Sequence, residues 1–258
     1  MVPMIEVTGL TKSYDAAPVL TGVDLSVPAG TIHGYLGANG AGKTTTVRIL
    51  AGLLERDAGS VQVAGVDPRE QPLEVRRRIG YLPESAVLYE PMTVAEHLLL
   101  VGRLQGLEDE TIRTRGEELL GAFDLVQRLG SRLSTLSKGM RQKVLLTGAL
   151  LHRPEVLFVD EPLSGLDVSS ALLLKEFFRL YAAGGRAILY CSHVMDVVER
   201  VCDRLTILHG GRVAAEGTFE ELAERMDEAS LEAIFGQVTS AGEERERARR
   251  LVDALDIP

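Results

Sequence analysis

The sequence predicts an α/β protein, in which a mixed sheet with helices is joined to an antiparallel β region and is interrupted by a helical segment. Three observations support this fold class. Residues 4–10 and 19–27 alternate apolar and polar side chains, as half-buried strands do. Apolar runs such as Ile32–Leu36 and Val156–Val159 then alternate with helical patterns, as expected for buried parallel strands. Between residues 85 and 153 the strand signals stop and helical periodicity takes over.

The other elements follow from the same periodicities and from capping signals. Further strands are predicted at 60–64, 79–82, 187–191, 205–208 and 212–215, the last two joined as a hairpin through Gly210-Gly211. Helices are predicted at 45–53, 69–79, 108–123, 140–151 and 169–183, and from 218 onward. Thr93, followed by Glu96, predicts a capping box at the start of one more helix. We expect an α/β core at 1–84 and 154–217, a helical insertion at 85–153 and a C-terminal helical extension at 218–258.

Composition excludes several classes of protein. With 258 residues, a formal net charge of −9 and a pI of about 5.2, the chain lacks the basic balance of a broad nucleic-acid footprint. We expect neither a signal peptide nor a membrane span, since no apolar run approaches the necessary ~18–20 residues. Cys191 and Cys202 are expected to be free thiols in a reducing compartment rather than metal ligands. The basic run Arg76-Arg77-Arg78 is interpreted as a solvated helix face.

A glycine-rich loop lies between a predicted buried strand and a predicted helix. It comprises Gly37, Ala38, Asn39, Gly40, Ala41, Gly42, Lys43, Thr44 and Thr45, and it matches the phosphate-binding pattern G-x-x-x-x-G-K-[ST]. Glycines let backbone N–H groups surround an anion, and the helix N-terminus adds a favourable dipole. Lys43 is expected to reach the β- and γ-phosphates, and the Thr44 hydroxyl is expected to ligate Mg²⁺. A chance glycine-rich turn would not place the right elements on both sides of the loop.

Two acids end a buried strand far along the chain. Asp160 and Glu161 follow Val156–Val159, and the ends of parallel strands deliver side chains to the ligand edge of a sheet. Asp160 is suited to the Mg²⁺ shell, and Glu161 is suited to polarise an attacking water. A surface acidic pair is the alternative for this motif in isolation. The phosphate-binding loop strengthens the catalytic interpretation.

These motifs together resemble the nucleotide-binding subunit of ATP-binding cassette (ABC) transporters, over nearly the whole chain. Seven features match, in the order in which that family has them. The first three are Tyr14 for the adenine-stacking aromatic, 37–45 for Walker A, and Glu84 at a position usually occupied by Gln. The other four are 136–140 for the signature motif, 156–161 for Walker B, 164–167 for the D-loop and His193 for the switch histidine. The ordered set separates this family from other phosphate-loop ATPases. It implies a phosphate-loop nucleotide triphosphatase core.

The signature also implies a paired arrangement. Ser137 and Gly139 open a predicted helix, whose free N–H groups form a positive end. In the family, two cassettes face head to tail, so that each signature contacts the γ-phosphate bound by the other. The resemblance therefore implies an isologous pair with two composite ATP sites, in which the second cassette is either an identical chain or a different one. The nearby Lys138, Arg141 and Lys143 either add positive charge to that end or form a solvated basic helix start.

Three residues depart from the usual family pattern. Lys138 replaces the first signature glycine, Met140 replaces the signature glutamine, and Glu84 replaces the usual glutamine while remaining an oxygen ligand for Mg²⁺. These variants resemble the branch of the family that energises ABC-2-type exporters. The segment Leu231–Phe235 also resembles one that follows the cassette in that branch, although it equally fits an amphipathic helix that packs on the core.

The resemblance implies an ATPase that hydrolyses Mg-ATP between two cassettes and passes the work to separate membrane subunits. Glu161 would be the base, His193 would position the γ-phosphate and water, and Lys43 would stabilise charge on the phosphates. Because the chain itself has no predicted span, the resemblance implies a cytoplasmic protein held on the inner face of the membrane by its partners. The alternative is a soluble cassette ATPase that acts on ribosomes or other complexes, but such translation factors usually carry two cassettes in one chain.

Overall fold

The computed structural model describes residues 3–84, 88–239, 249–250 and 254. Within these ranges the strands are β1 Pro3–Tyr14, β2 Ala17–Pro28, β3 Ile32–Gly37, β4 Ala58–Val63, β5 Ile79–Leu82, β6 Val156–Asp160, β7 Ala187–Cys191, β8 Arg204–His209 and β9 Arg212–Gly217. The helices are α1 Lys43–Leu50, α2 Pro72–Arg78, α3 Val94–Leu104, α4 Asp109–Ala122, α5 Lys138–Leu150, α6 Val168–Ala183, α7 Met195–Val201, α8 Phe219–Met226 and α9 Leu231–Val238. Two short 3₁₀ helices, Val126–Arg128 and Leu133–Thr135, precede α5.

The strands form two sheets. A three-stranded antiparallel sheet has the order β2-β1-β4, and a six-stranded sheet has the order β5-β6-β7-β3-β8-β9. The six-stranded sheet is parallel except for the β8–β9 hairpin. The predicted mixed α/β fold with an antiparallel β region is therefore confirmed.

The six-stranded sheet is covered on both faces, which explains why β3, β6 and β7 are largely apolar. Alternate residues point to opposite faces. On one face, Leu36 and Val159 belong to a hydrophobic cluster that also contains residues of α3, α4, α5 and α6. On the other face, Tyr35 and Phe158 belong to a second cluster that also contains residues of β1, β2, β4 and α1. Every residue of the three strands is buried.

Helical elements dominate the chain between β5 and β6, as the sequence predicts. Thr93 and Glu96 form the predicted capping box, in which the Thr93 amide donates to the Glu96 carboxylate at 2.8 Å and the Glu96 amide donates to the Thr93 hydroxyl at 3.2 Å. In the described part of the chain, no helix combines the length and apolarity that a membrane crossing requires.

The prediction that the basic run Arg76-Arg77-Arg78 on α2 forms a solvated face is wrong for two of its three residues. Arg76 donates to the Gly52 carbonyl, and Arg78 donates to the Glu74 carboxylate at 2.8 Å and to the Ala64 carbonyl at 3.0 Å. Only Arg77 is exposed. Arg76 and Arg78 instead tie the helix to neighbouring loops, which a charge pattern alone does not reveal.

The C-terminal segment packs on the core as far as the structure describes it. In α9, Leu231 and Ile234 are fully buried, and the Leu231 amide donates to the Glu199 carboxylate of α7 at 3.3 Å. Most of the predicted extension beyond Thr239 lies outside the described residues. Cys191 and Cys202 are free thiols, as predicted.

His33 is a buried titratable group in the centre of the sheet. It is fully buried on β3, its Nε2 lies 2.8 Å from the Thr206 hydroxyl, and its Nδ1 has no hydrogen-bond partner. Burial and then the nearby Arg204 charge lower its pKa to about 3. The unfolded chain therefore binds a proton below pH 6.5 that the native protein does not accept until about pH 3, so native stability falls with acidification across this window.

We predict that the free energy of unfolding decreases by about 2 kcal/mol between pH 7.5 and pH 5 through this group. His33→Gln should remove that part of the pH dependence, as measured by urea denaturation at both pH values. His209→Gln, which changes an exposed histidine at the end of β8, is the control and should retain it. An unchanged pH dependence in His33→Gln would contradict the assignment.

Candidate functional site

One edge of the six-stranded sheet gathers the predicted site residues. β6 pairs in parallel with β7, and β7 pairs in parallel with β3, so the carboxyl ends of all three strands point the same way. The phosphate-binding loop follows β3, Glu161 follows β6, and Ser192-His193 follows β7. Residues separated by more than 150 positions in sequence therefore meet at one edge.

The loop after β3 is shaped to surround an anion. Gly42 precedes α1 with a φ of 111°, and a Cβ at this position would lie 2.5 Å from Leu20 Cδ2. Only glycine fits this backbone and this contact. The first turn of α1 has no side-chain cap, so its N–H groups remain available at the positive end of the helix. Lys43 lies across the loop, where its ammonium donates to the carbonyls of Gly37 and Ala38.

A cavity of about 510 Å³ opens at this edge. It is lined by Tyr14, Val19, Asn39, Gly40, Gly42, Lys43, Thr44, Thr45, Glu84, Asp160, Glu161 and His193. The cavity thus unites most of the residues that the sequence predicts. The other predicted loop residues are Gly37, Ala38 and Ala41, of which Gly37 and Ala41 are buried.

Tyr14 lies at the mouth of this cavity. It ends β1, its side chain is exposed, and the Lys12 ammonium is 5.9 Å from its ring centroid. An exposed aromatic ring beside a phosphate-binding loop provides a surface on which a base can stack.

Asp160 is a buried acid among other acids. It is only 9% exposed, and burial, followed by the charges of Glu84 and Glu161, raises its pKa to about 6. The nearby Lys43 and His193 oppose that shift. A group of carboxylates that repel one another is a favourable place for a cation.

The residues present fit Mg²⁺. Thr44, Glu84 and Asp160 offer a hydroxyl and two carboxylates to the same cavity, and these hard oxygen ligands suit that ion. Among the described residues, no group of three or more His, Cys, Asp and Glu side chains could hold a metal. The ion would therefore need further oxygens, as from a substrate phosphate, which is how Mg²⁺ is usually bound.

Glu161 is held tightly by the loop after β7. Its backbone is left-handed at a φ of 50°, an uncommon conformation for a residue with a side chain. The Ser192 hydroxyl donates to its Oε2 at 2.8 Å, the His193 amide donates to its Oε1 at 2.7 Å, and His193 Nδ1 lies 2.6 Å from the same Oε1. The buried carboxylate is therefore fixed in one orientation.

Ser192 is a residue of this site that the sequence prediction missed. It is 2% exposed, and it accepts the Val194 amide at 3.1 Å while donating to Glu161. The available signal was its position between a buried strand and His193. Serine is common in such loops, and only the spatial approach of β6 reveals its partner.

The signature residues lie apart from this cavity. Ser137 caps α5 by accepting the Met140 amide at 3.3 Å, and Gly139 lies in the first turn of that helix. Neither residue lines the cavity of its own chain. The N-terminus of α5 is exposed at Ser137 and Lys138.

Comparison with known proteins agrees with this geometry. A family model described as "ABC transporter" matches residues 20–164. The daunorubicin/doxorubicin resistance ATP-binding protein DrrA of Streptomyces peucetius is 37% identical over 97% of this chain and 74% of its own length. Nod factor export ATP-binding protein I of Ralstonia nicotianae is 37% identical over 91% of this chain and 73% of its own length.

The solved structures include one described as the ATP-binding subunit of an ABC transporter. It superposes with a TM-score of 0.85 at 37% identity, covering 91% of this chain and 99% of that one. The two relatives are described as ATP-binding proteins of drug resistance and of Nod factor export, which agrees with the resemblance to an exporter branch and does not favour the soluble ribosomal alternative. The chain belongs to the ABC transporter family, as a phosphate-loop ATPase that binds and hydrolyses ATP to energise a transporter.

Proposed function

We propose that this chain powers export as one of two paired cassettes, with Mg-ATP bound in the cavity beside the phosphate-binding loop. The single observation that carries this proposal is the convergence of the loop, the acids and His193 on one cavity. The free N–H groups of the loop and Lys43 would contact the phosphates, whose negative charge they stabilise. Tyr14 would stack on the adenine at the cavity mouth.

The hydrogen bonds of Glu161 support its role as the base. Each carboxylate oxygen has two lone pairs. Oε1 is occupied by the two His193 contacts, whereas Oε2 accepts only the Ser192 hydroxyl among the described hydrogen bonds. The remaining lone pair of Oε2 would take a proton from the attacking water. The His193 side chain is 66% exposed, which leaves its other ring nitrogen, Nε2, free to face the γ-phosphate and the water.

Thr44, Glu84 and Asp160 would hold Mg²⁺ together with the phosphates. When bound, the ion would neutralise phosphate charge and so favour displacement of the γ-phosphoryl group. The pKa of Asp160, raised to about 6, means that this ligand is ionised at neutral pH and becomes protonated in mild acid. The protein contributes the placement of the ligands, which the ends of β3, β5 and β6 determine.

The separation of the signature from the cavity supports a pair of cassettes. Ser137 and Gly139 present an exposed helix N-terminus, which is suited to an anion. Because these residues do not line their own cavity, a second cassette placed head to tail would bring them to the γ-phosphate bound by its partner. Binding of ATP would close the pair, and hydrolysis would open it.

Exposed apolar side chains on and around α3 support attachment to separate membrane subunits. Leu53, Tyr89, Leu100 and Leu104 are all exposed, between 43% and 78%, and residues of β5, α3 and α5 line an open groove of about 280 Å³ together with Leu53. Exposed apolar surface is typical of protein interfaces. The chain would thus lie at the cytoplasmic face of the membrane, where export of cargo is energised through these partners.

We predict that Asp160→Asn stabilises the free protein while it abolishes ATP hydrolysis. The native pKa of about 6 exceeds the ordinary value of 3.8, so ionisation of Asp160 destabilises the native state as pH rises through this window. Removing the charge should increase the free energy of unfolding at pH 7.5 by about 1 to 3 kcal/mol. Urea denaturation without nucleotide measures this change, and equal or lower stability in the variant would contradict it.

We predict that Glu161→Gln keeps ATP binding but lowers turnover by at least about 100-fold, since general-base catalysis contributes on that scale. The variant should accumulate as an ATP-bound dimer, measured by light scattering after size-exclusion chromatography with Mg-ATP.

Glu232→Gln, at an exposed position on α9, is the matched control and should retain wild-type turnover. Wild-type turnover in Glu161→Gln would refute the assigned base. A variant that binds ATP and stays monomeric would refute the pairing.

A further inference from the structure

Lys138 makes a contact that links the signature helix to the loop after Glu161. Its ammonium donates to the Ser164 hydroxyl at 3.0 Å. Ser164 belongs to residues 163–167, here called the 163–167 loop, which connects the end of β6 to α6. Position 138 is usually glycine in the signature pattern, so this bond depends on a residue in which the chain departs from the pattern.

The packing around this bond is close, with a glycine on each side of it. Gly165 has a φ of 76°, and a Cβ there would lie 2.8 Å from Lys138 Cδ. A Cβ on Gly139 would lie 3.0 Å from the Gly165 carbonyl oxygen. The alkyl chain of Lys138 therefore covers Gly165, and the start of α5 touches the backbone of the 163–167 loop. The two segments form a fitted contact rather than a chance approach of one long side chain.

The 163–167 loop is in turn attached to the catalytic acid. The Ser164 amide donates to the Glu161 carbonyl at 3.0 Å, which closes a tight turn directly after this residue. At its other end, Asp167 caps α6 by accepting the Ser170 amide at 2.9 Å. The loop is thus held at both ends, and the Lys138–Ser164 bond joins the α5 N-terminus to the turn that follows Glu161.

We propose that Lys138 is a positioning residue that couples the signature of one cassette to the catalytic acid of the same cassette. This inference rests on the proposed pairing, in which the signature contacts ATP bound by the partner. Contact with the partner's ATP would move the start of α5, and the Lys138–Ser164 bond would carry that movement to Glu161. Each cassette would thereby adjust its own base when its signature engages the other nucleotide.

The test compares Lys138→Met, Ser164→Ala and the double variant. Methionine keeps the alkyl chain over Gly165 and removes only the donor. We expect each single variant to lower kcat roughly fivefold, the effect of losing one hydrogen bond of average strength. The double variant should be no slower than the slower single variant, because all three lack the same bond. Nucleotide affinity and thermal stability should stay at wild-type values, as should kcat in the control Lys175→Met on α6.

A second readout separates positioning from direct phosphate binding. In the Glu161→Gln background, Lys138→Met should form the ATP-dependent dimer as readily as its parent, since the bond acts on turnover rather than on pairing. Weaker dimerisation would identify Lys138 as a phosphate contact and so overturn the proposal. The proposal would also be overturned if the effects of the two single variants multiplied in the double variant, or if Lys138→Met kept the wild-type kcat. Failure of Glu161→Gln itself to dimerise would instead refute the pairing, without any change at Lys138.

Discussion

The parallel pairing of β6, β7 and β3 is the constraint on which the rest of this structure depends. It places the ends of three buried strands on one edge, and with them the phosphate-binding loop, two acids and His193. The loop, the acid pair and His193 are far from one another in sequence. Because a one-residue slip in register would turn each side chain to the other face of the sheet, two packed cores on opposite faces keep the site in register.

The site carries a cost that the fold must offset. Asp160 and Glu161 are buried beside each other, and burial and neighbouring charge already raise the pKa of Asp160. Glu161 also adopts a left-handed backbone, which for a residue with a side chain costs of order 1 kcal/mol or more. The extensive apolar burial in β3, β6 and β7 offsets these terms. Such a balance is typical of sites where function and stability compete.

Ser192 and His193 show how the site is ordered before any nucleotide enters. They supply the donors that orient Glu161, and both directly follow β7, the strand that pairs with β6. The acid is therefore preorganised by the pairing of β6 with β7, which brings the Ser192 hydroxyl and the His193 amide to its carboxylate, a condition that favours catalysis. The same pairing leaves the His193 side chain largely exposed, where it can respond to a ligand.

Much of the fold was predictable because its signals are local. Apolar runs predicted the buried strands, and Thr93 with Glu96 predicted a helix start that the structure confirms. The order of the strands was not predictable, since it depends on pairings between residues far apart in sequence. For the same reason, the sequence did not reveal that Arg76 donates to the Gly52 carbonyl or that Lys138 reaches Ser164.

For the candidate site, too, the local motifs were predicted and a contact between distant residues was not. The spacing of the glycines and the Asp160-Glu161 pair predicted phosphate binding and hydrolysis, because few sequence motifs bind phosphate and those motifs are short. The Ser192 bond to Glu161 was missed because it joins two residues, each directly after a strand, that are 31 positions apart in sequence.

The central claim, that this ATPase drives transport through separate membrane subunits, can be tested most directly by affinity purification. The tagged wild-type chain would be purified from gently solubilised native membranes, and its partners identified and quantified by mass spectrometry. The account predicts a polytopic membrane protein in stoichiometric amount. Recovery of only ribosomal or other soluble partners would contradict it.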